Sequence, residues 1–145
     1  MKSEYEKNRF KIEDYEFIKE IAGGGFAIVS LVQHKTTRKR FAAKTNLIMK
    51  GNPTQNKLFV AREISILIRM QHPTIIRFYG FSEVDFAGSP NTTILMDFYE
   101  KGSLALVINQ AKKSCPPGYN NTKRQIILIG IARAMMLLHQ NNIIH

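Results

Sequence analysis

Cysteine is almost missing from this sequence. Cys115 stands alone among 145 residues, so no internal disulfide and no thiolate metal cluster can form, which fits a reducing compartment. No leader is expected either. Residues 1–7 (Met-Lys-Ser-Glu-Tyr-Glu-Lys) are polar and charged, with no apolar core and no cleavage signature. The expected location is therefore the cytosol or nucleus, with cytoplasmic as the default. Long apolar runs are also lacking. The most hydrophobic stretch, residues 126–138, is too short to cross roughly 30 Å of hydrocarbon and carries Arg133 near its middle, so it reads as a core helix, and no membrane partner is expected.

Negative charge is scarce. Eleven Asp and Glu face twenty-one Lys and Arg, a formal net charge of +10, and six of the eleven acids lie in the first twenty positions. An excess of cations suits a nucleic-acid backbone when the cations cluster. Here they are scattered except for the knot Lys35, Arg38, Lys39 and Arg40. Four such residues in a turn read as a solvated loop, and no nucleic-acid partner is expected.

What remains is a globular composition, 44% apolar, without repeats or low-complexity tracts. Three strands come first: the alternation around Phe17 and Ile21, the β-branched run at residues 28–32, and residues 40–45 after the basic turn. Short loops make these an antiparallel meander. Gly51-Asn52-Pro53-Thr54 then offers a cap candidate and a proline for a first helical turn, and Val60, Ile64, Leu67 and Ile68 recur at helical spacing up to Gln71-His72-Pro73. Residues 75–81 and 92–98 are strand candidates flanking a loop at 84–90. Beyond Gly102 the chain turns helical: Ser103 can cap a short helix, Pro116-Pro117-Gly118 marks a loop, and Thr122 can start a long helix to about Gln140. That last helix is apolar nearly all round and needs other elements around it. This predicts a larger domain of which the chain is the front part.

The run Ile21-Ala22-Gly23-Gly24-Gly25-Phe26-Ala27-Ile28-Val29 could belong to three phosphate-binding architectures. A P-loop and a dinucleotide fingerprint both need a helix after the glycines, whereas a strand follows these. A glycine turn between antiparallel strands can also lie over phosphates, since missing side chains let backbone N–H groups approach an anion; a plain flexible hairpin is the other reading. Spacing bears on the choice. Lys44 lies on the third strand, and Glu63 follows nineteen residues later on the helix. A helix packed on the sheet could bring that carboxylate to the ammonium and hold it beneath the glycine turn, where it would meet nucleotide phosphate oxygens.

Taken together these residues resemble the protein kinase family. Residues 21–29 look like its glycine-rich loop, Phe41-Ala42-Ala43-Lys44 like its V-A-I-K strand, and Arg62-Glu63-Ile64-Ser65-Ile66-Leu67 like its C helix. His72-Pro73-Thr74-Ile75-Ile76-Arg77-Phe78-Tyr79-Gly80 resembles the segment that follows. Ile94-Leu95-Met96-Asp97-Phe98-Tyr99-Glu100-Lys101-Gly102-Ser103-Leu104 resembles strand five, the hinge and the next helix. Residues 131–139 and Asn142-Ile143-Ile144-His145 resemble the E helix and the opening of the His-Arg-Asp catalytic loop. The hinge and E-helix patterns are most like the tyrosine-kinase-like group of serine/threonine kinases.

The resemblance implies an α+β fold: a five-stranded antiparallel lobe with its C helix, followed by the first helices of a mainly α lobe. The expected divisions are residues 1–11 as an N-terminal extension, 12–99 as the upper lobe and hinge, and 100–145 as a partial lower lobe. It implies ATP and magnesium as cofactors, an unidentified protein substrate, and phosphoryl transfer to serine or threonine hydroxyls. Lys44 would contact the α- and β-phosphates and pair with Glu63, the family's active-state switch. The glycine-rich loop residues Ile21, Ala22, Gly23, Gly24, Gly25, Phe26 and Ala27 would cover the phosphates. Val29 and Ala42 would roof the adenine, Met96 would be the gatekeeper, and Asp97 to Tyr99 would offer backbone hinge bonds. Leu67, Phe78 and His145 match the hydrophobic column of the family. The catalytic-loop Asp and the magnesium ligands are not in this sequence, so the chain alone is not expected to catalyse transfer; a pseudokinase or scaffold is the alternative. One departure concerns the loop. Ala22 and Ala27 replace the first and third glycines of G-x-G-x-x-G, which would cost about 1 kcal/mol wherever positive φ is required and would seat the loop differently.

Overall fold

In a computed structural model the structure describes residues 4–48, 53–113 and 119–144. The chain divides into two compact units: Met1–Gln71 with Ile76–Phe98, and His72–Ile75 with Tyr99–His145.

The first unit is a five-stranded sheet with helices. A short helix α1 (Glu4–Lys7) precedes strands β1 (Tyr15–Gly23), β2 (Ala27–His34) and β3 (Arg40–Asn46); helix α2 (Pro53–Arg69) follows, then β4 (Phe78–Ser82) and β5 (Thr93–Asp97). Spatial order is β1-β2-β3-β5-β4, with every pair antiparallel. This is the α+β architecture expected from the sequence. Side chains alternate across a strand, and the sheet separates two apolar clusters accordingly. One gathers Val32, Phe41, Ala43 and Leu95, with Tyr15, Tyr79 and Phe86 against it. The other gathers Ile94, Phe78 and Phe81 with Ile64 of α2, joined by Val60, Leu67 and Ile68 from the same helix. The helical spacing read from the sequence is therefore the face that α2 turns to the sheet. The cap candidate Asn52 lies outside the described residues.

Two boundaries differ from expectation. The fourth strand begins at Phe78 rather than Ile75, because the preceding backbone is used in a turn: Ile75 N–H donates to the His72 carbonyl at 3.0 Å, and Thr74 N–H donates to His72 Nδ1 at 3.2 Å. In the second unit the helices are α3 (Leu104–Lys113) and α4 (Asn121–Gln140). Ser103 does cap α3, its Oγ accepting from Leu106 N–H at 3.4 Å. For α4 the cap is Asn120, whose Oδ1 accepts from Lys123 N–H at 3.0 Å, two positions before Thr122; asparagine is the stronger of the two capping side chains. The loop glycine and prolines at 116–118 lie outside the described residues. Helix α4 has no buried residue and exposes Ile126, Leu128, Ile129 and Met136. Among the described residues no helix is long and apolar enough to cross a membrane.

The N-terminal extension is not a free tail. Phe10 N–H donates to the Phe81 carbonyl at 3.1 Å, and Phe81 N–H donates to the Asn8 carbonyl at 2.9 Å, so Arg9 forms a parallel bridge with Phe81 on the outer edge of β4. Exposed sheet edges invite pairing with other chains, and here the protein's own N-terminus covers one. Gly80 makes this possible. Its φ is +154, and a Cβ added there would lie 2.6 Å from the Asn8 carbonyl oxygen. Only glycine combines that backbone with that approach.

Candidate functional site

Sheet register assembles the site. Ala22 lies opposite Val29, Val29 opposite Lys44, and Lys44 opposite Ile94. One step along, Ala42 lies opposite Met96, and Met96 opposite Phe78. Residues directly opposed, or two apart on one strand, share a face. Ala22, Val29, Ala42, Lys44 and Met96 therefore sit on one side of the sheet. It is the side α2 covers, since Ile94 and Phe78 pack with Ile64, and Met96 packs against that cluster.

Glu63 immediately precedes Ile64 and follows Val60 by three positions, which sets it at the border of the apolar stripe, beside the sheet rather than under it. From there it reaches Lys44: Lys44 Nζ donates to Glu63 Oε1 at 2.6 Å and to Oε2 at 2.9 Å. Both side chains stay partly accessible, 28% and 36%. Ion pairs this open to water add at most about 1 kcal/mol to stability. The pair matters for where it holds an ammonium, close to the surface and oriented by both oxygens of one carboxylate.

The glycine run forms the turn between β1 and β2. Gly24 N–H donates to the Ala27 carbonyl at 3.0 Å, and Leu47 N–H donates to the Phe26 carbonyl at 3.0 Å, tying the turn to the end of the strand that carries Lys44. Ile21 and Phe26 are exposed, Phe26 at 74%. The expected strain at Ala22 and Ala27 is corrected by the backbone: among the described residues only Arg38 and Asn142 are non-glycine positions with positive φ. Neither alanine needs a glycine conformation, so the substitution carries no backbone cost. Gly23, Gly24 and Gly25 are not positive-φ glycines either. A Cβ at Gly24 or Gly25 would meet no atom within 4 Å. Neither strain nor internal packing accounts for those two glycines, whereas close approach of an outside group to the backbone would.

At the end of β5, Met96 and Asp97 are partly buried. Asp97 N–H donates to the Arg77 carbonyl at 3.1 Å, so what Asp97 can still offer a ligand edge is its carbonyl oxygen. Its carboxylate is tethered on the opposite face. Tyr79 Oη donates to Asp97 Oδ1 at 2.8 Å and accepts from Lys39 Nζ at 2.8 Å. Lys39 Nζ also lies 4.5 Å from the Tyr79 ring centroid and 5.0 Å from that of Phe41, a cation over two aromatic faces. Lys39 is thus tied to the sheet by its tip, while residues 35–40 are exposed, in keeping with their reading as a solvated loop. Sequence reasoning missed Tyr79 and Lys39, because the contacts span 18 and 40 positions and leave no local pattern. Tyr99 belongs to the second unit and is 61% exposed. Of the hydrophobic column, Phe78 is a core member and Leu67 packs against it; His145 lies outside the described residues.

No group of three or more His, Cys, Asp or Glu that could hold a metal occurs among the described residues. The described residues do not make a magnesium site.

Comparison with known proteins gives a consistent answer. The family model described as protein kinase domain matches residues 15–145. The chain is 26% identical over 131 residues to the probable serine/threonine-protein kinase samkB of Dictyostelium discoideum, covering 90% of this chain and 21% of that protein. It is 27% identical over 132 residues to the inhibitor of nuclear factor kappa-B kinase subunit alpha of Gallus gallus, covering 90% and 17%. It is 26% identical over 137 residues to the serine/threonine-protein kinase PLK4 of Aedes aegypti, covering 93% and 16%. The chain thus spans about a fifth or less of these relatives' lengths. With the family match running from the first strand of the sheet to the last residue, the chain belongs to the protein kinase family.

Proposed function

We propose that this chain is the nucleotide-binding front part of a protein kinase that transfers the γ-phosphoryl group of ATP to serine or threonine hydroxyls. The observation that carries the reading is the two-pronged contact of Glu63 with Lys44, on the same sheet face as Val29, Ala42 and Met96. An ammonium held in that way offers a fixed positive charge to the α- and β-phosphates, and charge placed in advance needs no reorganisation when a phosphoryl group moves. The backbone of Gly23 to Gly25 lies over those phosphates, with Ile21, Ala22, Phe26 and Ala27 flanking it. Val29 and Ala42 pack on the adenine, Met96 limits the depth of its pocket, and the Asp97 carbonyl meets the purine edge. Magnesium, when bound, neutralises charge on the β- and γ-phosphates; this chain's own contribution is to bind and orient the nucleotide. The hinge and α4 sequence patterns favour the tyrosine-kinase-like group, and a cytoplasmic location is part of the same proposal.

The test is phosphoamino-acid analysis of a complete kinase domain carrying these residues, after incubation with γ-labelled ATP and a mixed protein substrate. Label on phosphoserine and phosphothreonine is expected. Label confined to phosphotyrosine would overturn the hydroxyl specificity, and nucleotide binding without any label would favour a scaffold that keeps the fold.

A further inference from the structure

We propose that Tyr5 is a positioning residue for the nucleotide-binding lysine: the N-terminal segment is a strap whose tyrosine seats α2 and so keeps Glu63 on Lys44. The proposal rests on the reading of Lys44 given above. Attachment of the strap is specific. Two backbone hydrogen bonds join Asn8 and Phe10 to Phe81, and Gly80 leaves room for the approach. Arg9 fastens the flank, its side chain donating to Glu83 and its guanidinium lying 5.8 Å from the Phe81 ring centroid.

The strap's tyrosine packs on the cluster through which α2 meets the sheet. The Tyr5 ring lies 4.3 Å from that of Phe81, tilted by 46°, and packs against the cluster of Ile64, Phe78, Phe81 and Ile94. Ile64 is the neighbour of Glu63 in α2, and the same cluster is where α2 meets the sheet. An aromatic ring wedged there limits how far the helix can pivot, and a pivot at Ile64 moves Glu63 with it. Burial, with the Glu83 carboxylate adding to it and Arg9 opposing, pushes the Tyr5 phenol above its ordinary value. A phenol is neutral at physiological pH without any shift, and the direction of this one keeps it so, as an apolar seat requires.

The experiment uses the 145-residue chain. Each lysine is acylated by a brief pulse of an amine-reactive ester under native conditions, and rates are read by mass spectrometry alongside amide exchange. Tyr5→Ala is expected to raise the Lys44 rate about threefold or more, through local opening of α2, with faster exchange at residues 60–68 and unchanged exchange in the β1–β2 hairpin. Tyr5→Phe is expected to stay at the parent rate, since the ring and not the hydroxyl does the seating. Arg9→Ala, which removes the Glu83 contact and the cation beside the Phe81 ring but leaves the Tyr5 ring in place, should move Lys44 in the same direction by less. Glu63→Gln separates the two readings. If it raises the Lys44 rate while Tyr5→Ala does not, the strap proposal is overturned; if it leaves Lys44 unchanged, the ion-pair reading fails first. A uniform rise in exchange across the sheet in Tyr5→Ala would also overturn the proposal, because the tyrosine would then serve general stability only.

Discussion

Phe81→Ala is expected to lower the unfolding free energy of the chain by about 3–5 kcal/mol, the range for removing a fully enclosed aromatic from a core that cannot collapse around the gap. Phe81 is 0% exposed and is the largest fully buried side chain among the described residues. Phe81 shares its cluster with Ile64 from α2 and Ile94 from β5, and the Tyr5 ring of the N-terminal strap lies 4.3 Å from its own. A cavity at that junction loses contacts on every side. The strap's backbone bonds to residue 81 remain possible in the alanine variant, so the loss isolates the ring. Urea unfolding should show a lower midpoint with an unchanged slope. Phe26→Ala, at a side chain 74% exposed, should change stability by less than about 0.5 kcal/mol. A loss below about 1 kcal/mol at Phe81 would mean that the helix-facing cluster is not the core of this unit.

Legibility of this fold followed the range of the signals. Helix α2 was readable because Val60, Ile64, Leu67 and Ile68 repeat at its period, β2 because residues 28–32 are mostly β-branched or apolar, and β3 because Phe41, Ala42 and Ala43 lead into Lys44. The Lys44–Glu63 pair was readable only as a spacing joined to a resemblance, since neither residue differs from a surface charge by itself. The strap was hidden. Its seven leading residues are mostly charged, its one apolar anchor is a lone tyrosine, and its pairing with β4 uses backbone groups that have no side-chain signature. Gly80 read as part of a strand, whereas the pairing of β4 with β5 shifts register between Phe78 and Gly80, and glycines inside strands commonly mark such bulges. At Ala22 and Ala27 a cost was expected only where positive φ is required; a pattern of glycines records residue type, not dihedral angle, and neither position has positive φ.

Lys44→Met is expected to reduce phosphate incorporation by a complete kinase domain carrying this sequence by about 10²–10³-fold, the scale for removing one preorganised group aimed at developing charge. Methionine keeps the apolar length of the side chain and removes the cation. The Glu63 carboxylate would then lack its ammonium, 2.6 Å away in the parent chain, and would face the phosphates with like charge. Glu63→Gln should cost less, about tenfold, because the ammonium stays present but is no longer held by two charged oxygens. The losses should fall mainly on kcat if the pair acts on the moving phosphoryl group, and on KM if it only binds nucleotide. Equal activity of Lys44→Met and its parent would remove the assigned role.

Nucleotide titration of the isotope-labelled 145-residue chain, followed by NMR at the lysine side chains and the backbone amides, reaches the site itself. Added ATP should shift the Lys44 side-chain signals and the amides of residues 22–29 most, even at weak affinity, and Lys44→Met should remove most of the shift at the glycine turn. Shifts that spare Lys44 and that turn, and gather instead on the basic residues 35–40, would contradict a phosphate site under the β1–β2 hairpin.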